Sequence, residues 1–158
     1  MTAVDTSTGI GIKRLQHVVL VVADVERSAR FYQEVLGLQF HRRRPNGMTF
    51  LTIPGSGNDH DLALLPQTDV GPVDPRAARL LHAAWEVGDI RDLARARARM
   101  QAAGCFEGAT NHGMSLSLYG KDPDGLEFEV FWTVPEATYG ENVPLDLDAE
   151  LAKYAPDA

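Results

Sequence analysis

Apolar residues along the chain follow strand and helix spacings in an order that occurs twice. The segment 15–25 (LQHVVLVVADV) is strand-like and ends at Asp24, and the segment 80–90 (LLHAAWEVGDI) matches it and ends at Asp89. Each aspartate comes directly before apolar residues at helical spacing, so each is predicted to cap a helix. The two halves of the chain therefore align at an offset of 65 residues.

Helices are predicted over 25–37 and 90–104, where apolar residues recur at helical spacing and a glycine ends each segment. About three further strands follow each helix. The predicted fold class is α/β (α+β), with two tandem βαβββ modules at about 12–66 and 78–133. Each module is expected to supply one curved sheet to a shared cavity.

This duplicated pattern resembles the vicinal oxygen chelate superfamily, which includes glyoxalase I, bleomycin-resistance proteins, fosfomycin-resistance enzymes and extradiol dioxygenases. The resemblance covers residues 12–133 and implies a metal-containing cavity. It leaves out an N-terminal tail, 1–11, and a C-terminal extension, 134–158, in which LDAELAKY suggests a short helix.

The candidate metal ligands are two histidines and one glutamate. Strand alternation places His17 and His82 on matching faces of the two modules, and Glu129 lies on the last strand of the second. Two imidazoles and one carboxylate suit Fe(II), and Mn(II) suits the same ligands. Glu127 shares the face of Glu129 and is the rival carboxylate. Resemblance to the family favours Glu129, because of its spacing from Gly125.

The repeat also predicts how many ligands the site has. Counting back 65 residues from Glu129 gives Leu64 as its counterpart in the first module. Leucine cannot bind a metal, so we expect a three-ligand site with open positions, unlike the four-ligand site of glyoxalase I.

The segment 110–132 (TNHGMSLSLYGKDPDGLEFEVFW) is similar to the signature of extradiol ring-cleavage dioxygenases. The signature consists of a His, an apolar residue followed by Tyr, an acid-Pro turn with Gly, and a Glu; here these are His112, Leu118-Tyr119, Asp122-Pro123, Gly125 and Glu129. A second stretch, NDHDLALL, resembles the strand start that carries the acid–base histidine, which is His60 here. The resemblance thus implies that His60 moves protons and that His112 and Tyr119 donate hydrogen bonds to the substrate.

The expected function is that of an Fe(II)-dependent extradiol dioxygenase that cleaves the ring of a catechol-type substrate with O2. One alternative is another metal-dependent enzyme of the superfamily, an isomerase or a thiol transferase. The other is a metal-free binding protein of the bleomycin-resistance kind, which does not need the set His17, His82 and Glu129.

Composition narrows the partners and the compartment. The 158 residues carry a net charge of −7, which argues against nucleic acid or an anionic membrane as a partner. No run of apolar residues is long enough for a membrane span, and Cys105 is the single cysteine, so a cytoplasmic location is expected. Because the paired sheets expose edges, a homo-oligomer, a dimer or higher, is expected as well.

Overall fold

The computed structural model describes residues 13–69, 80–135 and 142–156, and it contains two sheets with three helices. The first module comprises β1 Val18–Val22, α1 Val25–Leu36, β2 Gln39–Arg43, β3 Thr49–Thr52 and β4 Leu62–Pro66. The second comprises β5 His82–Glu86, α2 Ile90–Ala102, β6 Phe106–Asn111, β7 Ser115–Lys121 and β8 Glu127–Thr133. The predicted α+β class with two βαβββ modules is confirmed.

The two sheets have the same strand order. In the first sheet it is β1-β4-β3-β2, and in the second it is β5-β8-β7-β6-β9, where β9 is the short strand Val143–Pro144. The first and last strands of each module are parallel neighbours, and the other pairs are antiparallel. As a result β1 and β5 lie at corresponding edges of their sheets.

Both helices begin at the predicted aspartates. Oδ1 of Asp24 accepts a hydrogen bond from the Arg27 amide at 3.1 Å, and Oδ1 of Asp89 accepts one from the Arg91 amide at 2.7 Å. Helix α1 ends at Gly37, whose φ of 74° is the left-handed conformation that glycine adopts without steric cost. Helix α2 ends at Ala102, two residues before the predicted end at 104.

The two modules differ by one residue in helix length, and this difference shifts the repeat. Helix α1 has 12 residues and α2 has 13. The β2–β3 pair is irregular between Phe40 and Arg42, and the β6–β7 pair is irregular between Phe106 and Gly108. These equivalent irregularities lie 66 residues apart, so the offset of 65 at the first strand has become 66 beyond the helix.

The apolar faces of the two sheets pack against their helices and meet in one core. Val22, Tyr32 and Leu64 belong to the cluster around α1, and Leu93 and Phe128 belong to the cluster around α2. Three partly buried side chains pack against both clusters: Phe31, Leu36 and Trp85. The modules are therefore joined by apolar burial, which is the dominant favourable term in folding.

The acid-Pro turn of the second module is a polar clamp on the first module. Asp124 accepts hydrogen bonds from Arg27 at 2.6 Å and from the Ser28 hydroxyl at 3.0 Å. The buried Asp122 accepts one from the Tyr32 hydroxyl at 2.9 Å. Burial, and then the charge of Asp122, raise the pKa of Tyr32, so this hydroxyl stays a donor. These contacts give Asp122 and Asp124 a structural role that the signature does not reveal.

The C-terminal segment completes the second sheet. Strand β9 pairs with β6, and α3, Leu147–Tyr154, is the short helix that LDAELAKY predicts. The predicted N-terminal tail, 1–11, lies outside the described residues. Among the residues that the structure describes, no helix has the length and apolar character to cross a membrane.

Candidate functional site

The candidate site lies on the face of the second sheet that points away from α2. Phe128 and Val130 face the helix and are buried, so Glu127 and Glu129 between them face the other way. Strand β5 runs beside β8 with His82 opposite Glu127, and the antiparallel β7 places Tyr119 opposite Glu129. Strand register alone thus brings together residues that are up to 47 positions apart in the chain.

His82 lies between the two glutamates. Its Nε2 is 3.2 Å from Oε2 of Glu129, and its Nδ1 is 3.1 Å from Oε1 of Glu127. Both candidate carboxylates therefore contact the same imidazole, but through different ring nitrogens. A contact to one nitrogen of a metal-binding histidine fixes the tautomer and leaves the other nitrogen for the metal. Together with the spacing of Glu129 from Gly125, which resembles that of the family, the arrangement suits Glu129 as the ligand and Glu127 as the residue that orients His82.

A chain of hydrogen bonds continues from Glu129 to the end of the β6–β7 hairpin. The Tyr119 hydroxyl donates to Oε1 of Glu129 at 3.4 Å and lies 2.8 Å from Nε2 of His112. Nδ1 of His112 is 2.8 Å from Oδ1 of Asn142. Burial, and then the charge of Glu129, raise the pKa of Tyr119, so its hydroxyl remains protonated near neutral pH. Asn142 belongs to the C-terminal segment and carries no signal in the sequence analysis.

The candidate residues of the first module form a second cluster. The ring centroids of His17 and His60 are 4.4 Å apart. The ring of Phe50 packs edge-on against His60, with 4.8 Å between the centroids. Nδ1 of His60 lies 2.9 Å from Oδ2 of Asp59. The hydrogen bond to His60, with those from Arg42, lowers the pKa of Asp59. Asp59 is adjacent to His60 in the chain, but no sequence motif indicates its role.

His17 and His82 line one cavity of about 630 Å³. Its walls include the edge strands β1 and β5 and the apolar side chains of Leu15, Ile53, Leu80 and Trp85. The predicted shared cavity between the modules is therefore present. Its volume is in the range of small-molecule sites, ~300–1,000 Å³.

The structure brings two of the three predicted metal ligands into contact and places the third on the shared cavity. His82 and Glu129 form a close pair, whereas His17 lies against His60 and hydrogen-bonds Gln16 through Nδ1. Within residues 13–69, 80–135 and 142–156, no three His, Cys, Asp or Glu side chains form a group that could hold a metal ion. The donor atoms of His82 and Glu129 fit a divalent metal, because an imidazole nitrogen and a carboxylate oxygen lie close together. Glu127 contacts the other nitrogen of His82.

The prediction that Leu64 is the counterpart of Glu129 is wrong. Leu64 is fully buried in the core around α1, whereas Glu129 faces away from α2. The offset of 66 beyond the helices instead makes Ala63 the equivalent residue, and Ala63 pairs with Val19 as Glu129 pairs with Ala84. The one-residue insertion in α2 explains the error. Alanine cannot bind a metal either, so we still expect no metal ligand from the residue of the first module that is equivalent to Glu129.

Two tandem βαβββ modules with a cavity between their edge strands define the class of this protein, and comparison with known sequences gives its family. A sequence profile of the Glyoxalase/Bleomycin resistance protein/Dioxygenase superfamily matches residues 14–130. The chain belongs to this superfamily.

Individual relatives carry different activities. Metapyrocatechase 2 of Cupriavidus necator is 30% identical over 152 residues, which cover 92% of this chain but 45% of that protein. A lactoylglutathione lyase of Neisseria meningitidis serogroup A is 34% identical over 123 residues, covering 73% of this chain and 88% of the relative. The crystal structure of a glyoxalase/dioxygenase from Nostoc punctiforme is similar in fold, with a TM-score of 0.65 at 20% identity over 84% of this chain and all of the other.

Proposed function

We propose that the protein is an extradiol dioxygenase that cleaves a catechol-type ring with O2, using Fe(II), or Mn(II) in its place. The observation that carries the proposal is the run of contacts from His112 through Tyr119 and Glu129 to His82. All four residues belong to the predicted ligand set or the dioxygenase signature; three share one face of the second sheet, and His112 reaches them from the β6–β7 turn. Similarity to metapyrocatechase 2 over nearly the whole chain supports it, although this chain spans less than half of that relative.

In this proposal His17, His82 and Glu129 hold the metal. When bound, the metal would supply Lewis-acid activation of the catechol oxygens and of O2. Glu127 contacts Nδ1 of His82, and this contact orients the ring so that Nε2 points towards Glu129. The protein's contribution at this end of the cavity is therefore orientation.

The remaining candidate residues handle protons. His60, with Nδ1 engaged by Asp59, presents Nε2 as the nitrogen that accepts a catechol proton and later returns one. Tyr119 remains protonated, and its single O–H would turn from Glu129 to donate to one substrate oxygen, while His112 and Asn142 fix the position of the hydroxyl. Leu15, Ile53 and Leu80 give this cavity part of its apolar lining.

Anaerobic reconstitution with Fe(II), followed by a panel of catechols and then air, tests the proposal through oxygen uptake and visible absorbance. We expect oxygen consumption with a yellow product, and its loss in His82→Ala and Glu129→Ala. Glu86→Ala is the matched control, since Glu86 lies on the same sheet face but contacts Thr133 instead of the site. Loss of uptake in all three variants, or no uptake by the wild type with any catechol, contradicts the proposal.

The second candidate is an isomerase or thiol transferase of the same superfamily. It is favoured by the match to the lactoylglutathione lyase, which covers 88% of that protein. Formation of S-lactoylglutathione from methylglyoxal and glutathione, in protein that consumes no oxygen with catechols, would select it.

A further inference from the structure

Among the described residues, the cavity between the modules contains one arginine that has no ion-pair partner. Arg14 lines the same cavity as His17 and His82, and it is the only lysine or arginine among the described lining residues. Its guanidinium donates a hydrogen bond of 2.5 Å to Oδ1 of Asn58, and the Asn58 side chain is neutral. In the part of the chain that the structure describes, Arg14 forms no ion pair.

Asp61 is the acidic side chain on the described lining, and its oxygens are already engaged. Its Oδ2 accepts from the Ile53 amide at 2.7 Å and from the Ser56 and Thr52 hydroxyls at 2.8 and 3.1 Å. Its Oδ1 accepts from Nδ2 of Asn58 at 2.6 Å. Asp61 therefore holds the loop 53–58 together, and its hydrogen-bonded link to Arg14 runs through the amide of Asn58.

The Asn58 amide places the guanidinium. One end of the amide donates to the buried Asp61 and the other end accepts from Arg14, so the orientation of Asn58 is fixed by a carboxylate that is itself fixed. A guanidinium has five N–H donors in a planar fork, and a single contact with Asn58 leaves most of them available. The cavity thus contains a positioned cation, most of whose donors have no partner among the described residues.

We infer that Arg14 binds a carboxylate on the substrate, so that the preferred substrates are catechols with an anionic side chain. This inference rests on the proposed function. An arginine fork matches a carboxylate with two parallel hydrogen bonds, and such charge-assisted pairs are stronger than neutral ones. A phosphate dianion is less well matched, because one guanidinium is the only fixed cation on the described wall. The apolar side chains of Leu15, Leu80 and Trp85 provide the surface for the ring.

Calorimetric titration without oxygen, with and without Fe(II), tests the inference. The probes are 3,4-dihydroxyphenylacetate and its amide, which differ in charge but hardly in shape. We expect the acid to bind about 10- to 100-fold more tightly than the amide, as for a hydrogen bond to a charged group. Arg14→Gln should remove the difference, and rising salt should reduce it in the wild type.

Two arginine variants serve as controls. Arg30→Gln changes the net charge equally but lies on the exposed side of α1, so it should keep the preference for the acid. Arg44→Gln removes a guanidinium that lies over the Phe50 ring, 5.3 Å from its centroid, outside the lining of this cavity. Loss of the preference in Arg44→Gln but not in Arg14→Gln overturns the inference.

The assays separate this inference from the proposed function. Equal binding of acid and amide, in a protein that cleaves both, overturns the carboxylate site and leaves the dioxygenase intact. An Arg14-dependent preference for the acid, in a protein that takes up no oxygen, supports the carboxylate site while the dioxygenase proposal fails. Binding of glutathione that depends on Arg14, with no binding of either catechol, overturns the inference because the carboxylate then belongs to a thiol peptide.

Discussion

Oε1 of Glu127 lies 3.1 Å from Nδ1 of His82. In the sequence, Glu127 is the rival of Glu129 as a metal ligand. The same histidine meets Glu129 through Nε2. Two glutamates separated by one residue on a strand thus contact different nitrogens of one imidazole, and the proposal gives them different roles.

This division predicts graded effects on metal binding. Glu127→Gln should lower the affinity for Fe(II) or Mn(II) about 10- to 100-fold, as for other residues that orient a metal-binding histidine. Glu129→Gln should lower it further, because it replaces a ligand. Metal titration under anaerobic conditions measures both, with Glu86→Gln as the unaffected control. Equal affinities of wild type and Glu127→Gln would show that Glu127 does not orient His82.

Tyr119→Phe should separate catalysis from metal binding. The variant loses the hydroxyl that lies between His112 and Glu129 but keeps the ring. Turnover of a catechol should fall about 100-fold, as when one donor to a developing oxyanion is removed. The metal affinity should stay at the wild-type value, since Tyr119 is not a ligand in this proposal. Tyr154→Phe, whose ring packs on Trp132 away from the site, is the matched control.

Asp59→Asn should affect turnover through His60. Because Asp59 accepts from Nδ1 of His60, the substitution should lower turnover by less than His60→Ala does. The double variant should be no slower than His60→Ala alone, since the effects of interacting residues are not additive. Steady-state rates of the two single variants and the double variant form the test cycle. Additive losses would mean that Asp59 acts independently of His60.

Tyr32→Phe should destabilise the fold without touching the site. The substitution leaves the buried Asp122 with one hydrogen bond fewer across the module boundary. We expect the free energy of unfolding to fall by ~1–3 kcal/mol. Urea unfolding measures this, and Tyr154→Phe again provides the control. An unchanged unfolding midpoint would show that the contact contributes nothing to joining the modules.

Asp61 should make stability depend on pH. Burial alone would raise its pKa, but the hydrogen bonds from the Ile53 amide, Asn58, Ser56 and Thr52 lower it below its usual 3.8. A lowered folded-state pKa contributes stability above the usual value, and this contribution disappears as the pH falls through the folded-state pKa. The difference in unfolding free energy between wild type and Asp61→Asn should therefore be greatest near neutral pH and shrink below pH 3.8. Wild type and Asp61→Asn should be compared from about pH 7 to about pH 3, a range that includes the ordinary aspartate pKa of ~4. A difference in unfolding free energy that stays constant over this range would contradict a lowered pKa of Asp61.

The sequence by itself determined the order of elements, because this information is local. Three features are readable from neighbouring residues: the helix caps at Asp24 and Asp89, the apolar periodicity, and the equivalent positions of His17, directly before β1, and His82, at the start of β5. The dioxygenase signature likewise selected His112, Tyr119 and Glu129, which the structure brings together. Their chemical roles and that of His60 remain predictions.

Only the tertiary structure decided how residues from different elements meet. One extra residue in α2 shifts the register of the second module, and strand faces alternate at every residue, so counting along the sequence chose Leu64 where the fold has Ala63. The contact between Glu127 and His82 depends on the pairing of β5 with β8. The clamp of Asp122 on Tyr32 spans 90 residues and depends on how the two modules pack. Such contacts follow from register and packing, which residue spacing alone does not specify.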